Sequence, residues 1–407
     1  MPSLIESIAC VNKQKRAADN KSGGLFLFFS RGCQVCLFAF LVFLIAGGES
    51  RAGDEDGDAK DDGSDDEPGW ELEAKTSVGW QSNLFEVDSS KEGRTGDGFV
   101  NSSIETSFPL NGGGGDLRGR FVGAAKRYFQ EDQLDDYEFK PGLCWQVFDG
   151  DDSNLVFDIE VSRFLERIYD ESQRVPNRSQ PGWGAGAGWK LESSMTDKLD
   201  LNWEGKGCYQ WFDQVSQDNL TVGTAVELVY AKNDRTEWTF GTSWEFQDYA
   251  VRPPETEAPG HPVGLETLEG HLSSAIEYKI GGGVITEIGC AVGPRLDLTT
   301  GYYDSESLNM HWEWRWETGH WKLRASAEVE WTKYSERPAN ISKPNRELTS
   351  QVVVFEPGVE YALTENLSIV GEASLRVRDT NSAAAGDDIT LNDFSDTSVQ
   401  IGVHYSF

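Results

Sequence analysis

Charged side chains recur at every second position along several segments of the chain. Glu204 and Lys206 show this spacing in one segment, and Glu313 and Arg315 show it in another. A period of two places such residues on one face of a β-strand, where neighbouring strands bring rows of both signs together. Rows of fixed charge set an electric field that attracts or repels small ions. The candidates for this role are Glu204, Lys206, Glu237, Glu245, Glu313, Arg315, Glu328, Glu330, Glu372 and Arg376.

A second interpretation of these residues is that they pair in salt-bridged ladders and only keep the strand face hydrated. That interpretation accounts for most of them, so no single selectivity residue is predicted. In the predicted register about twenty acidic and about thirteen basic side chains nevertheless point to the polar face, and the whole chain has 68 Asp+Glu against 36 Lys+Arg. A wall that is negative overall attracts cations and repels anions, which predicts a mild cation preference.

Residues that could carry catalysis are few and poorly spaced. His271 and Ser273 share one strand face, and His311 and Glu313 share another. Side chains two positions apart on a strand are about 7 Å apart, which is too far for direct proton transfer. Because no nucleophile motif accompanies them, we predict that the protein is not an enzyme and has no cofactor.

The six cysteines predict neither a disulfide framework nor a metal site. Three of them lie in or before an N-terminal apolar run. The other three, Cys144, Cys208 and Cys290, are odd in number, widely spaced and without a Cys-x-x-Cys pair.

The N-terminal 52 residues have the organisation of an export signal. Five basic residues precede an apolar stretch from Cys36 to Ala46, and Ser50-Arg51-Ala52 places small residues where a signal peptidase reads. We therefore predict a signal peptide over residues 1–52. The alternative is an uncleaved membrane anchor, although so short an apolar run spans a bilayer poorly.

Residues 53–69 form an acidic block that contains a single lysine. Such a block cannot bury apolar surface, which predicts a disordered linker. The spacing of Asp54, Asp56 and Asp58 could hold calcium, but the glycine and the distal glutamate of an EF-hand loop are not in place.

From Trp70 to Phe407 the hydrophobic pattern has period two, as in Trp70, Leu72 and Ala74 against Glu71 and Glu73. Counting such segments predicts about sixteen strands of roughly ten residues, the length that a tilted strand needs to cross a membrane. The predicted strand centres are near residues 75, 104, 122, 143, 159, 187, 205, 225, 241, 272, 289, 312, 326, 355, 372 and 402.

The links between the predicted strands alternate in length. Short turns, such as Asn111–Asp116 and Gly281–Gly283, mostly alternate with longer links, such as Arg167–Gly182, Asp248–Glu266 and Ser335–Glu347. An even number of strands places both termini and the short turns at one end. This arrangement is typical of barrels that cross a bacterial outer membrane, with the long links outside.

The chain ends in an alternating segment, Val399 to Phe407, with Tyr405 two residues before the terminal Phe407. This segment resembles the C-terminal signature of outer-membrane β-barrel proteins, which the barrel assembly machinery reads as an exposed strand. Gly79 to Phe85 is similar to the opening of uncharacterised putative β-barrel porin families, although that match covers only seven residues. The resemblance of the C-terminal segment to that signature implies that Tyr405 and Phe407 form an assembly signal.

A soluble β-sandwich also alternates, but it would need a second core and Greek-key crossings, whereas the links here predict successive hairpins. We therefore predict an all-β protein, in which residues 70–407 form a transmembrane up-and-down antiparallel barrel.

A mean hydropathy of −0.48 excludes a bundle of membrane-spanning helices. The net charge of −32 argues against a nucleic-acid partner, because phosphate binding needs a basic face.

A barrel of about sixteen strands is too wide for its own side chains to fill, which predicts a water-filled interior. The expected function is a porin-like channel of the cell outer membrane for ions and small solutes. The alternative is a barrel that does not conduct and serves polysaccharide export, adhesion or envelope attachment. The expected partners are outer-membrane lipid, the assembly machinery and the permeating solutes.

Overall fold

The computed structural model describes residues 69–82, 96–110, 116–130, 135–150, 152–170, 175–213, 218–249, 265–299, 304–338, 347–381 and 393–407. The chain divides into two units, residues 1–66 and 67–407, and every described residue belongs to the second. The predicted signal peptide and nearly all of the predicted linker lie outside the described residues. Within these ranges no helix is long and apolar enough to cross a membrane.

The described strands form one closed antiparallel barrel in chain order, and the last strand pairs with the first. Each predicted strand centre falls within one strand, so the predicted barrel of sixteen strands is confirmed. The strands are β1 (Glu71–Gln81), β2 (Asp97–Pro109), β3 (Asp116–Tyr128), β4 (Asp136–Gly150), β5 (Ser153–Asp170), β6 (Val175–Thr196), β7 (Leu199–Phe212), β8 (Asn219–Asn233), β9 (Thr236–Tyr249), β10 (Leu265–Gly281), β11 (Val284–Asp297), β12 (Ser305–Thr318), β13 (Trp321–Pro338), β14 (Glu347–Ala362), β15 (Leu367–Thr380) and β16 (Phe394–Ser406).

Tight turns join the strands at the end of the barrel that carries both ends of the barrel chain. The turn from β10 to β11 uses Gly281, Gly282 and Gly283, whose φ angles are 106°, 65° and 80°. These angles lie in the left-handed region, where only glycine is free of a Cβ penalty. The glycine triplet therefore allows a reversal of direction within a very short link.

One predicted link is shorter in the structure than the sequence suggested. Residues 167–182 were expected to connect two strands, but β5 continues to Asp170 and β6 begins at Val175. Backbone pairing persists in this hairpin, for example between Arg167 and Ser179. Main-chain hydrogen bonds do not require alternating polarity, so a hairpin extends past the point where the apolar pattern stops.

The two faces of the barrel differ in chemistry. One face exposes aliphatic side chains in mid-strand, such as Ile159, Leu272 and Ile401, which are 54%, 65% and 59% exposed. Some tryptophans on the same face lie near the strand ends, including Trp80 and Trp321. An apolar band between aromatic girdles is the pattern of a barrel surface that contacts lipid. The opposite face carries the ten charged residues predicted as candidates.

Candidate functional site: the polar inner face

All ten predicted charged candidates lie on the polar face of the barrel. On neighbouring strands they stand opposite other polar residues of the same face. Glu237 is opposite Glu277, and Glu372 is opposite Gln400. The structure thus places the candidates on one face of one sheet. That they line a water-filled path remains a prediction.

Ion pairs identify this face as the inner one. Lys206 Nζ of β7 lies 3.4 Å from Glu245 Oε2 of β9, although β8 runs between them. Arg324 of β13 likewise contacts Glu372 of β15 across β14. Strands two positions apart are separated by about 9–10 Å, and side chains bridge that distance most easily on the concave side, where they converge. The polar face therefore surrounds the lumen.

Four glutamates on four consecutive strands of this face form a row, in which each glutamate is directly opposite the next. Glu237 of β9 pairs with Glu277 of β10, Glu277 pairs with Glu287 of β11, and Glu287 pairs with Glu313 of β12. We call these four residues the glutamate row. Like charges directly opposite on neighbouring strands repel, so the row needs positive partners or a cation-rich environment.

Arg315 supplies positive charge to the glutamate row. Its Nη2 lies 2.9 Å from Glu277 Oε2 and its Nε lies 3.2 Å from Glu313 Oε1. The guanidinium thus joins β10 to β12 across β11. Lys279 Nζ lies farther from the row, 3.9 Å from Glu277 Oε1.

His311 contacts the row through Glu287, with Nε2 2.9 Å from the Glu287 Oε1 atom. The imidazole reaches it by lying across Gly289, where a Cβ would stand only 2.1 Å from His311 Cε1. Gly289 is therefore needed for a close approach rather than for an unusual backbone angle.

A polar recess of about 410 Å³ lies in the inner face between β12 and β16. Glu372 is held there by Arg324 and by the Gln400 amide, and Ser374 Oγ donates to Glu356 Oε1 at 3.2 Å. Pro357 has no N–H, and the pairing of β14 with β15 is interrupted beside it. The recess is lined by Glu313, Arg324, Ala325, Ser326, Glu356, Pro357, Glu372, Ala373, Ser374, Ser398 and Gln400.

Four candidate glutamates have no ion pair among the described residues. Glu328 accepts a hydrogen bond from the Asn309 amide, and Glu330 accepts one from Thr332 Oγ1 at 2.8 Å. Among the described residues, no ion pair is found for Glu204 or Glu237. These carboxylates leave negative charge on the inner face that local lysines and arginines do not neutralise.

Histidines on the inner face contact glutamates rather than hydroxyl groups. His271 Nε2 lies 2.8 Å from Glu269 Oε1, and not beside Ser273 as a catalytic pair would require. His404 lies between Glu73 and Glu360, at 3.2 Å and 3.5 Å. In the ranges that the structure describes, no group of three or more His, Cys, Asp or Glu side chains could hold a metal ion.

Several members of this site were not among the residues singled out from the sequence. Glu277, Glu287 and Arg324 have the same alternating spacing as the chosen candidates. Alternation places a residue on a face, but it does not show which residue stands opposite on the next strand. The glutamate row becomes visible only when the register is known.

The inner face includes buried apolar side chains at the end of the barrel where the long links connect the strands. Phe99, Tyr128 and Phe394 point inward there and are each 2% exposed. Lys126 Nζ lies 4.2 Å from the Phe99 ring centroid and 3.0 Å from Gln81 Oε1. This end of the lumen thus carries a buried band of apolar side chains, consisting of Phe99, Tyr128, Phe164, Phe212, Leu265, Leu348 and Phe394.

Comparison with known proteins gives a likeness of fold. No protein-family model matches the sequence, and no curated protein matches it. The solved structure of OccAB3 from Acinetobacter baumannii is 7% identical, with a TM-score of 0.50, and the match covers 83% of this chain and 99% of that one.

OccAB1 of the same organism is 8% identical, with a TM-score of 0.50 and coverage of 83% and 96%. An anion-selective porin from Comamonas acidovorans is 11% identical, with a TM-score of 0.43 and coverage of 83% and 98%. At such identities the likeness shows the fold alone. The likeness to the two OccAB structures agrees with the predicted barrel fold.

Proposed function

We propose that this protein is a porin-like channel of the bacterial outer membrane, through which ions and small solutes diffuse passively with a mild preference for cations. The observation that supports the proposal is the combination of a closed sixteen-strand barrel with an apolar outer face and a charged inner face. Sixteen strands enclose more space than their own side chains fill.

The proposed preference for cations follows from the balance of charge on the inner face. The four glutamates of the row, together with Glu204, Glu245 and the two further glutamates of the recess, Glu356 and Glu372, outnumber the lysines and arginines that contact them among the described residues. A negative wall raises the local concentration of cations over about one Debye length, which is about 10 Å at 0.1 M salt. The preference is therefore expected at low salt and should disappear at high salt.

The test is conductance of the purified, refolded protein in a planar lipid bilayer. Stepwise conductance in KCl supports the channel, and a reversal potential across a KCl gradient gives the sign of the preference. A barrel that inserts but shows no conductance steps at any voltage or salt concentration would contradict the channel. An anion-selective sign would contradict only the cation preference.

The second candidate is a barrel that does not conduct and serves polysaccharide export, adhesion or envelope attachment. The observation that favours it is the buried apolar band, because inward apolar side chains that are nearly fully buried do not line an open water-filled path at that end. The same bilayer measurement separates the two candidates.

The proposal also includes the partners and the route to the membrane. The apolar outer face is proposed to contact outer-membrane lipid, and the terminal strand with Tyr405 and Phe407 is proposed to be read by the barrel assembly machinery. Export to the periplasm by the predicted signal peptide would precede assembly.

A further inference from the structure

Arg315 differs in its contacts from the singly paired Arg120 and Lys190 of the inner face. Arg120 and Lys190 each contact a single glutamate, Glu105 and Glu192, in simple pairs. Arg315 instead contacts two glutamates of the glutamate row that lie on different strands, Glu277 on β10 and Glu313 on β12.

The geometry of the row makes this contact important. Neighbouring strands are about 4.8 Å apart, so four directly opposed carboxylates form a continuous line of negative charge along the wall. Arg315 binds two of the four, and its side chain is partly open to the lumen at 42% exposed. It therefore screens the row from any ion that passes along this wall.

We infer that Arg315 is the residue that sets the strength of ion selection in the lumen, by partly neutralising the glutamate row. The inference rests on the proposed channel function and goes beyond it by naming a specificity-determining residue. Removing this charge leaves Glu277 and Glu313 without their closest cation, while the four opposed carboxylates remain in place.

The test is the reversal potential of Arg315→Gln across a KCl gradient. The cation-to-anion permeability ratio should rise about twofold at ~0.1 M KCl and should return to the wild-type value at ~1 M, where the Debye length is about 3 Å. Arg315→Lys retains the positive charge and should keep a ratio close to the wild-type value.

Arg163→Gln is the matched control. Arg163 lies on the apolar outer face of the barrel, where its Nη2 lies 3.0 Å from Asp213 Oδ2. This substitution removes the same charge but not from the lumen, so the permeability ratio should not change. The heat-dependent shift in gel mobility of each variant reports whether the barrel is folded, which keeps a folding defect separate from a change in selectivity.

The outcomes distinguish the inference from the function on which it rests. A wild-type barrel that does not conduct would overturn both. Conductance with an unchanged ratio in Arg315→Gln, or with an equal change in Arg163→Gln, would overturn the inference and leave the channel intact. If Arg315→Gln does not fold, an increased ratio in Arg315→Lys would also count against it, because that variant keeps the charge.

Discussion

Leu72 and Phe407 exchange two backbone hydrogen bonds. The Leu72 N–H donates to the Phe407 carbonyl oxygen at 2.9 Å, and the Phe407 N–H donates to the Leu72 carbonyl oxygen at 2.8 Å. The last residue of the chain is therefore paired with the first strand of the barrel. The Phe407 side chain, in contrast, is 54% exposed and contributes little buried area.

Deleting Phe407 is expected to impair assembly more than stability. Two backbone hydrogen bonds contribute about 1–3 kcal/mol together, so a barrel that is already inserted should remain folded. The amount of protein that reaches the outer membrane should fall several-fold, because the proposed assembly signal is lost. Fractionated membranes give the yield, and urea unfolding in lipid vesicles gives the stability.

Phe407→Ala is the control for this deletion, since it removes the ring and keeps both backbone bonds. It should lower the membrane yield as well if the ring is what the assembly machinery reads. Normal yield of both variants would show that the terminal signature is coincidental in this chain.

The link lengths predict the orientation of the barrel in the membrane. The link Asp248–Glu266 is expected outside the cell, and the turn between β8 and β9, which includes Asp234, is expected in the periplasm. In a background with alanine at Cys144, Cys208 and Cys290, a membrane-impermeant thiol reagent should label Glu255→Cys on intact cells. Labelling of Asp234→Cys without breaking the cells would contradict this orientation.

Glu287→Gln should change ion selection in the opposite direction from Arg315→Gln. It removes one charge from the glutamate row and takes away the partner of His311. The cation-to-anion permeability ratio is expected to fall by about twofold at ~0.1 M KCl. Glu347→Gln is the control, because Glu347 pairs with Lys333 at 2.7 Å on the other face. An equal change in both variants would show that the row has no special role.

Gly283→Ala should destabilise the barrel more than Gly282→Ala. Both residues have positive φ angles, so each substitution costs about 1–2 kcal/mol from the backbone alone. At Gly283 the new Cβ would also lie 2.0 Å from the Glu317 carbonyl oxygen, whereas at Gly282 it would meet no atom within 4 Å. The midpoint of urea unfolding in lipid vesicles measures the difference. Equal unfolding midpoints for the two variants would mean that the turn moves the Glu317 carbonyl oxygen away from the new Cβ without a loss of stability.

The sequence by itself determined the architecture and the two faces of the wall. Alternation is a local property, because each residue's face follows from its neighbours in the chain. The pattern around Trp70 and Leu72 was therefore enough to place a strand, and the spacing of Glu313 and Arg315 was enough to place both on the polar face. The extension of the hairpin between β5 and β6 was not visible, because backbone pairing there continues without an apolar pattern.

Only the tertiary structure decided which charges meet. Glu277 and Glu287 are joined by a tight turn, and the register beside that turn has an irregularity near Lys279, whereas Glu237 and Glu313 reach the same row through longer links. A slip of one residue would turn any of these side chains to the outer face. The contact of His311 with Glu287, rather than with Glu313 on its own strand, likewise depends on the space above Gly289 in the neighbouring strand. Cross-strand contacts are set by register and by closure of the barrel, and those are properties of the whole sheet.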